Sequence, residues 1–345
     1  MNLRSCAMWL PSALFVAALT ATRAASGAPA PAACPAPVVP GQGNDEALFP
    51  LREMDMHVHC GMERPIPLEA WIDTAVADGR KVMLVLDHLE LYRRTPEQLA
   101  AWYAKNSTFP HWYGVGPEGR KALMDDLGAL RSRNDIIVFR GWEIYEGDLD
   151  RPIEEDALRQ ADVVGFHISP NNGRRAPDGE SFIHRIRQII ELQTRWPMPV
   201  ILFHPLTMRF ENLQRTAQQA GRDVNSITTA EYRFFTPAQQ DTVISLLRGR
   251  SIYIEIGAGT AHSMDSAATR QALLEDIKPL VDGGVQFTVS TDAHGLRSMQ
   301  GPFQPETYCE PLGITPRNTN TIVRELLVQR ARKAVAAAQQ AEPGR

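Results

Sequence analysis

The sequence predicts an α/β protein with a mainly parallel sheet, and three observations predict it. Seven short runs of β-branched and apolar residues, at about 54–59, 82–87, 136–142, 162–168, 199–203, 251–256 and 285–291, alternate with longer segments of helical period. That alternation builds strand, crossover helix and parallel strand in turn. The stretch after residue 45 is long enough for one large α/β barrel or two smaller domains, and 43% apolar residues supply an ample core. Six of the seven runs end in a residue that can hold a metal ion, at the carboxyl ends where a parallel barrel assembles its chemistry.

Taken in order, the N-terminus comes first. MNLR is a positive n-region, CAMWLPSALFVAALTA an apolar segment of signal-peptide length, and ATRAASGA a small-residue stretch suited to cleavage. Residues 1–27 are therefore expected to be a Sec-type signal peptide and the protein to be secreted or periplasmic, with no membrane segment after cleavage. Residues 28–45 are rich in Pro and Ala and read as an extended linker. Cys34 lies beyond that linker's start, too far from the apolar segment for a lipid anchor. Once Cys6 leaves with the signal peptide, Cys34, Cys60 and Cys309 permit one disulfide at most. The net charge of −4 comes without a basic stripe, which excludes a nucleic-acid surface.

Residues 46–345 are then expected to form a barrel domain closed by a C-terminal helix. Between the runs, helical periodicity places helices at 67–81, 118–133, 179–195 and 268–284, and a long closing helix at 318–340. Two connections, 88–135 and 205–250, exceed the usual length and are candidates for functional loops. The first carries Tyr92, Arg93, Arg94, Trp102, Tyr103, His111, Trp112 and Tyr113, suited either to substrate contact or to packing a covering helix.

In DMHVH the two-residue strand period puts Asp55, His57 and His59 on one face, so that both imidazoles can meet one ion. His88, Glu143, His167 and His204 end the next four runs, and Asp292 and His294 end the seventh in STDAH. Six of the nine histidines thus fall at strand ends. One such histidine is unremarkable; six, with Glu143 and Asp292, point to metal. Mixed imidazole and carboxylate ligands suit zinc, manganese or iron, and Cys60 reads as core. Ions sharing a carboxylate would activate a bridging water as hydroxide near neutral pH and polarise a substrate oxygen, so the predicted class is a metal-dependent hydrolase.

The ordered set DMHVH, LDH, GWE, GFH, FHP and STDAH resembles the polymerase and histidinol phosphatase (PHP) family of metal-dependent hydrolases, over residues 50 to 300. The resemblance implies a distorted seven-stranded (β/α)7 TIM-like barrel and a cluster of two to three divalent ions. It implies His57, His59, Glu143 and Asp292 at a first ion, Glu143 bridging to a second with His167 and His204, and His88 with His294 at a third. Where the family places a further histidine, Pro65 stands in HCGMERP, so the third position is weak or empty, or is completed by Glu63 or water. A small-molecule substrate follows, with a phosphoester favoured. Arg174, Arg175, Arg209 and Arg297 are candidates to hold its phosphoryl oxygens, and Asp292 or His294 to manage the leaving-group proton. The alternatives are hydrolysis of an amide, lactone or ester on the same centre, and a non-catalytic metal- or ligand-binding domain. In the sixth run, SIYIEIGAG, Glu255 reads as an acceptor for a histidine. Gly257 stands where the family has asparagine, and the glycines open the rim to substrate.

Overall fold

The computed structural model describes residues 49–61, 66–106, 113–168, 178–260, 264, 266–300 and 303–341. The expected signal peptide and linker, and Cys34, Glu63, Pro65, His111, His262, Arg174 and Arg175, lie outside the described residues.

All seven predicted strands are present: β1 Met54–His59, β2 Val82–His88, β3 Ile137–Tyr145, β4 Val163–His167, β5 Val200–Phe203, β6 Ile252–Gly257 and β7 Gln286–Ser290. They pair in parallel in sequence order. Val58 bridges Ala293 in parallel, and the His59 N–H donates to the Ala293 carbonyl at 3.0 Å, so the sheet nearly closes on itself. This is the expected (β/α)7 TIM-like barrel. Its strands are continuous apolar runs because barrel strands are covered on both faces; Val82 to Leu86, for example, are all buried.

Helices wrap the sheet: α1 Leu68–Ala77, α2 Pro96–Asn106, α3 Gly116–Ala129, α4 Glu155–Gln160, α5 Gly179–Arg195, α6 Thr207–Gln219, α7 Thr229–Tyr232, α8 Pro237–Leu247, α9 Ala267–Asp282, α10 Leu296–Met299, α11 Glu306–Cys309 and α12 Pro316–Ala341. The start of α5 follows from a capping box in which Asp178 accepts from the Ser181 N–H. The first helix stops four residues before its predicted end because Gly79 takes a φ of 85°, open to glycine at little cost. Both long connections are largely helical, the first in α2 and α3 and the second in α6, α7 and α8.

One feature corrects the sequence reading and another decides between alternatives it left open. A bulge in β1 lets it advance three residues, from Asp55 to Val58, while β2 advances two, from Met83 to Val85. The strict two-residue alternation is lost there. Asp55 consequently serves Thr291 and Arg80 instead of sharing the histidines' face. In the first long connection, Tyr92 is buried with its hydroxyl on Asp87 at 2.9 Å, Tyr113 bonds Asp126, and Arg93 pairs with Glu154 and Asp148. These three groups pack and tie the fold. The side chains of Trp102, Tyr103 and Trp112 lie outside the described residues. Cys60 is core as expected, and among the described residues Cys60 and Cys309 are both buried and neither is in a disulfide. No helix of the described residues is long and apolar enough to cross a membrane.

Candidate metal centre

The parallel register carries the predicted ligands to one end of the barrel. His88 at the end of β2 lies level with Glu143 on β3, and Tyr145 on β3 with His167 on β4. Glu143 is completely buried. Its Oε2 lies 3.2 Å from His59 Nε2, 3.4 Å from His57 Nε2 and 3.5 Å from His88 Nε2. Its Oε1 lies 3.2 Å from His167 Nδ1 and 3.8 Å from His204 Nε2. Asp292 closes the ring, with Oδ1 3.2 Å from His59 Nε2 and 3.6 Å from His57 Nε2, and Oδ2 3.7 Å from His204 Nε2.

The residues fit divalent ions. Two ligand atoms on one tetrahedral ion with bonds of about 2.0–2.1 Å stand roughly 3.4 Å apart, the spacing that recurs through the cluster. Three groups each bring their ligand atoms within 4.8 Å of one another: His57, His59 and Asp292; His57, Glu143 and His204; and His59, His88 and His294. Both oxygens of Glu143, Oδ1 of Asp292 and Nε2 of His167 are buried without a hydrogen-bond partner of normal geometry among the described residues. Buried polar atoms are rarely left so, and cations held in these groups would satisfy the three carboxylate oxygens. The groups overlap, with His57 and His59 each in two of them. Glu143 joins His57 and His204, His59 joins His88 and His294, and His167 touches Glu143 without entering a group.

Charge in the metal-free cluster is balanced by protons. Burial opposes a charge on His57, yet Glu255, Asp292 and Glu143 outweigh it and push its pKa up to about 10. Burial likewise opposes a charge on His88, but Glu143 and Glu90 raise it to about 9. For His204 burial prevails and its pKa falls. Burial favours the neutral form of Glu143 and of Asp292, but the surrounding histidines hold both carboxyls well below their usual range.

The supporting groups were only partly predicted. Glu255 accepts from His57 Nδ1 at 2.7 Å, as expected of it, and also from the His204 N–H at 2.8 Å and Ser290 Oγ at 2.6 Å. His294 Nδ1 donates to the Asp292 carbonyl at 2.8 Å, leaving Nε2 as the nitrogen with the lone pair. Phe203 stacks on His57 with ring centroids 3.8 Å apart, and Gly165 makes room for it. Ser290, Thr291 and Phe203 were missed because nothing in their local pattern separates them from core or strand-end residues, and Asp55, expected on the histidines' face, instead holds Thr291.

Above the cluster lies a cleft of about 270 Å³, whose rim includes Glu211, Gly257 and Gly259. The rim glycines stand where open access was expected. Arg297 is exposed and does not line this cleft. The side chain of Arg209, on the first turn of α6, lies outside the described residues. His184 is exposed on α5 and does not line this cleft.

No family model matches the chain, and no curated protein sequence matches it. Among solved structures, the chain is similar to a histidinol phosphate phosphatase from Lactococcus lactis complexed with zinc, L-histidinol and phosphate. That likeness has 13% identity and a TM-score of 0.44, and covers 77% of this chain and 98% of that one. It is also similar to an amidohydrolase from Burkholderia ambifaria with bound zinc, at 10% identity and a TM-score of 0.34, over 72% of this chain and 59% of that one. An adenosine deaminase from Xanthomonas campestris with bound zinc shows 13% identity and a TM-score of 0.29, over 84% and 62%. At these values the reading of the site rests on its own residues.

Proposed function

We propose that the protein is an exported metal-dependent hydrolase on the pattern of the PHP family, acting on a small-molecule phosphoester. One observation carries the reading: Glu143 is wholly buried and turns one oxygen to His57, His59 and His88 and the other to His167 and His204. A carboxylate so surrounded is built to bridge two cations. Divalent ions held there would supply an activated water and take up charge developing on the substrate.

The chain's own residues do the rest. Glu143 and Asp292 stay ionised and fix the spacing of the imidazoles. Glu255 turns the Nε2 of His57 towards the cluster. Asp292 is held ionised, so of the two candidates for leaving-group chemistry the proton falls to His294, whose Nδ1–H is on the Asp292 carbonyl and whose Nε2 would carry it when not holding an ion with His59 and His88. The rim glycines admit the substrate.

A second reading, hydrolysis of an amide, lactone or ester, is favoured by one observation: Glu211 sets a carboxyl side chain on the cleft rim, which suits an uncharged substrate better than a phosphoester anion. Export is part of the proposal on the strength of the N-terminal sequence, and N-terminal sequencing of the mature protein from fractionated cells tests it.

The enzymatic reading is tested by elemental analysis of protein purified without chelators, followed by assays on an aryl phosphate and on amide and lactone panels, with His57→Ala and Glu143→Gln as controls. Bound metal and phosphatase activity lost in both variants is the expected result. Turnover of amides or lactones alone selects the second reading. Protein free of metal, and unable to take it up, overturns both.

A further inference from the structure

Glu255 sits inside β6, 3% exposed, behind the cluster. Its Oε1 accepts from His57 Nδ1 at 2.7 Å and Ser290 Oγ at 2.6 Å. Its Oε2 accepts from the backbone N–H of His204 at 2.8 Å and lies 3.3 Å from His204 Nδ1. Donors from β1, from β7 and from the residue after β5 therefore converge on one carboxylate. On the far side of both rings, His57 Nε2 is 3.4 Å from Glu143 and His204 Nε2 is 3.8 Å from it.

An imidazole ligates only through a nitrogen that carries no proton, and the bond made by the other nitrogen decides which one that is. We propose that Glu255 is a positioning residue that sets the tautomer of His57 and His204 together, and that its two oxygens are not interchangeable. The inference rests on the metal-centre reading above.

The asymmetry follows from the donors. The His204 backbone N–H cannot reverse its polarity, so a glutamine at 255 must keep its carbonyl oxygen on the Oε2 side. Its NH2 then faces Ser290 and His57. The Ser290 hydroxyl can rotate to accept. His57 Nδ1 must also accept, which moves its proton to Nε2, the nitrogen needed for metal. His204 keeps Nδ1–H. A change from carboxylate to amide is thus expected to disable one ligand and spare the other.

The test is zinc titration of full-length wild type and Glu255→Gln by calorimetry, with elemental analysis of the loaded proteins and ¹⁵N NMR of the histidine side chains. The variant is expected to bind one ion about 10–100-fold more weakly than wild type does. Its metal-free spectrum, recorded at a pH where the His57 ring is neutral, should show His57 as the Nε2–H tautomer and His204 as Nδ1–H. Unchanged stoichiometry and affinity, or His57 remaining Nδ1–H, would overturn the proposal while leaving the metal centre standing. A wild type that takes no zinc would instead overturn the metal-centre reading, and the inference with it. Should the variant not fold, zinc-loaded wild type decides: both His57 and His204 are expected to coordinate through Nε2 with a slowly exchanging Nδ1–H, and coordination of either through Nδ1 refutes the proposal.

Discussion

Thr291 gives both its backbone N–H and its hydroxyl to Asp55, at 2.9 and 2.7 Å, and the residue that follows it, Asp292, has a φ of 54°. Among the described residues only His204, at 57°, shares that left-handed conformation without being glycine. Such a backbone costs roughly 1–3 kcal/mol and persists only where its surroundings over-determine it. In both cases the restraint is a buried carboxylate on another strand: Asp55 holds the residue before Asp292, and Glu255 holds the N–H of His204. Each turn aims a side chain at the cluster that an extended backbone would carry past it.

Thr291→Val keeps the shape and the backbone N–H but removes the hydroxyl donor from Asp55. The variant should lose about 1–3 kcal/mol of stability, because a buried acceptor is left short of a partner. Its metal affinity should fall about tenfold as the Asp292 turn loosens. Urea unfolding in chelator measures the first and metal titration the second. Loss of stability with unchanged affinity would mean that Asp292 is aimed without help from Thr291.

Gly165→Ala tests the floor of the site. A Cβ there would lie 1.7 Å from Phe203 Cε2, and the Phe203 ring is the one stacked on His57. Moving the ring costs about 1–3 kcal/mol as overpacking, and it displaces His57 from Glu143 and Asp292. Denaturant unfolding should show the destabilisation, and metal content should fall with it. Full metal content would show that the ring can move without carrying His57 along.

Most of the barrel was legible because the signal for a buried parallel strand, an apolar run closed by a polar residue, is local. His88, Glu143, His167, His204, Asp292 and His294 each end such a run, and parallel register does the rest. The role of Glu255 was also visible, since a carboxylate inside an apolar strand must find buried donors. Asp55 could not be placed, because a one-residue bulge in β1 depends on pairing with β2 and leaves no mark in MDMHVH. Tyr92 and Arg93 sit in a long connection that invites a functional reading. Their partners, Asp87, Asp148 and Glu154, are set by how that connection folds back. The overlap of the ligand groups is hidden for the same reason: His59 lies in two of them, which strand order alone does not reveal.

Proton and metal compete for the same nitrogens, so acidity should separate the metal-free from the metal-loaded protein. In the metal-free chain His57 and His88 have pKa values raised from 6.5 to about 10 and about 9, against the pull of burial, by the carboxylates around them. A raised folded-state pKa contributes stability that is complete below about 6.5 and lost as pH climbs through about 9 and 10. Glu143 and Asp292 have lowered values despite burial, so their contribution is present above the usual carboxyl range of about 4 and lost on acidification. The chelated protein should therefore be most stable between about pH 4.5 and 6.5 as far as these groups decide it, with Tm falling from there towards pH 9.5. Metal binding displaces the histidine protons, so affinity should rise over the same interval. Calorimetric scans of chelated and loaded protein at several pH values should show the gap in Tm widening as pH rises. A gap independent of pH would mean that His57 and His88 are already neutral before metal arrives, and that the carboxylates are compensated by some other charge.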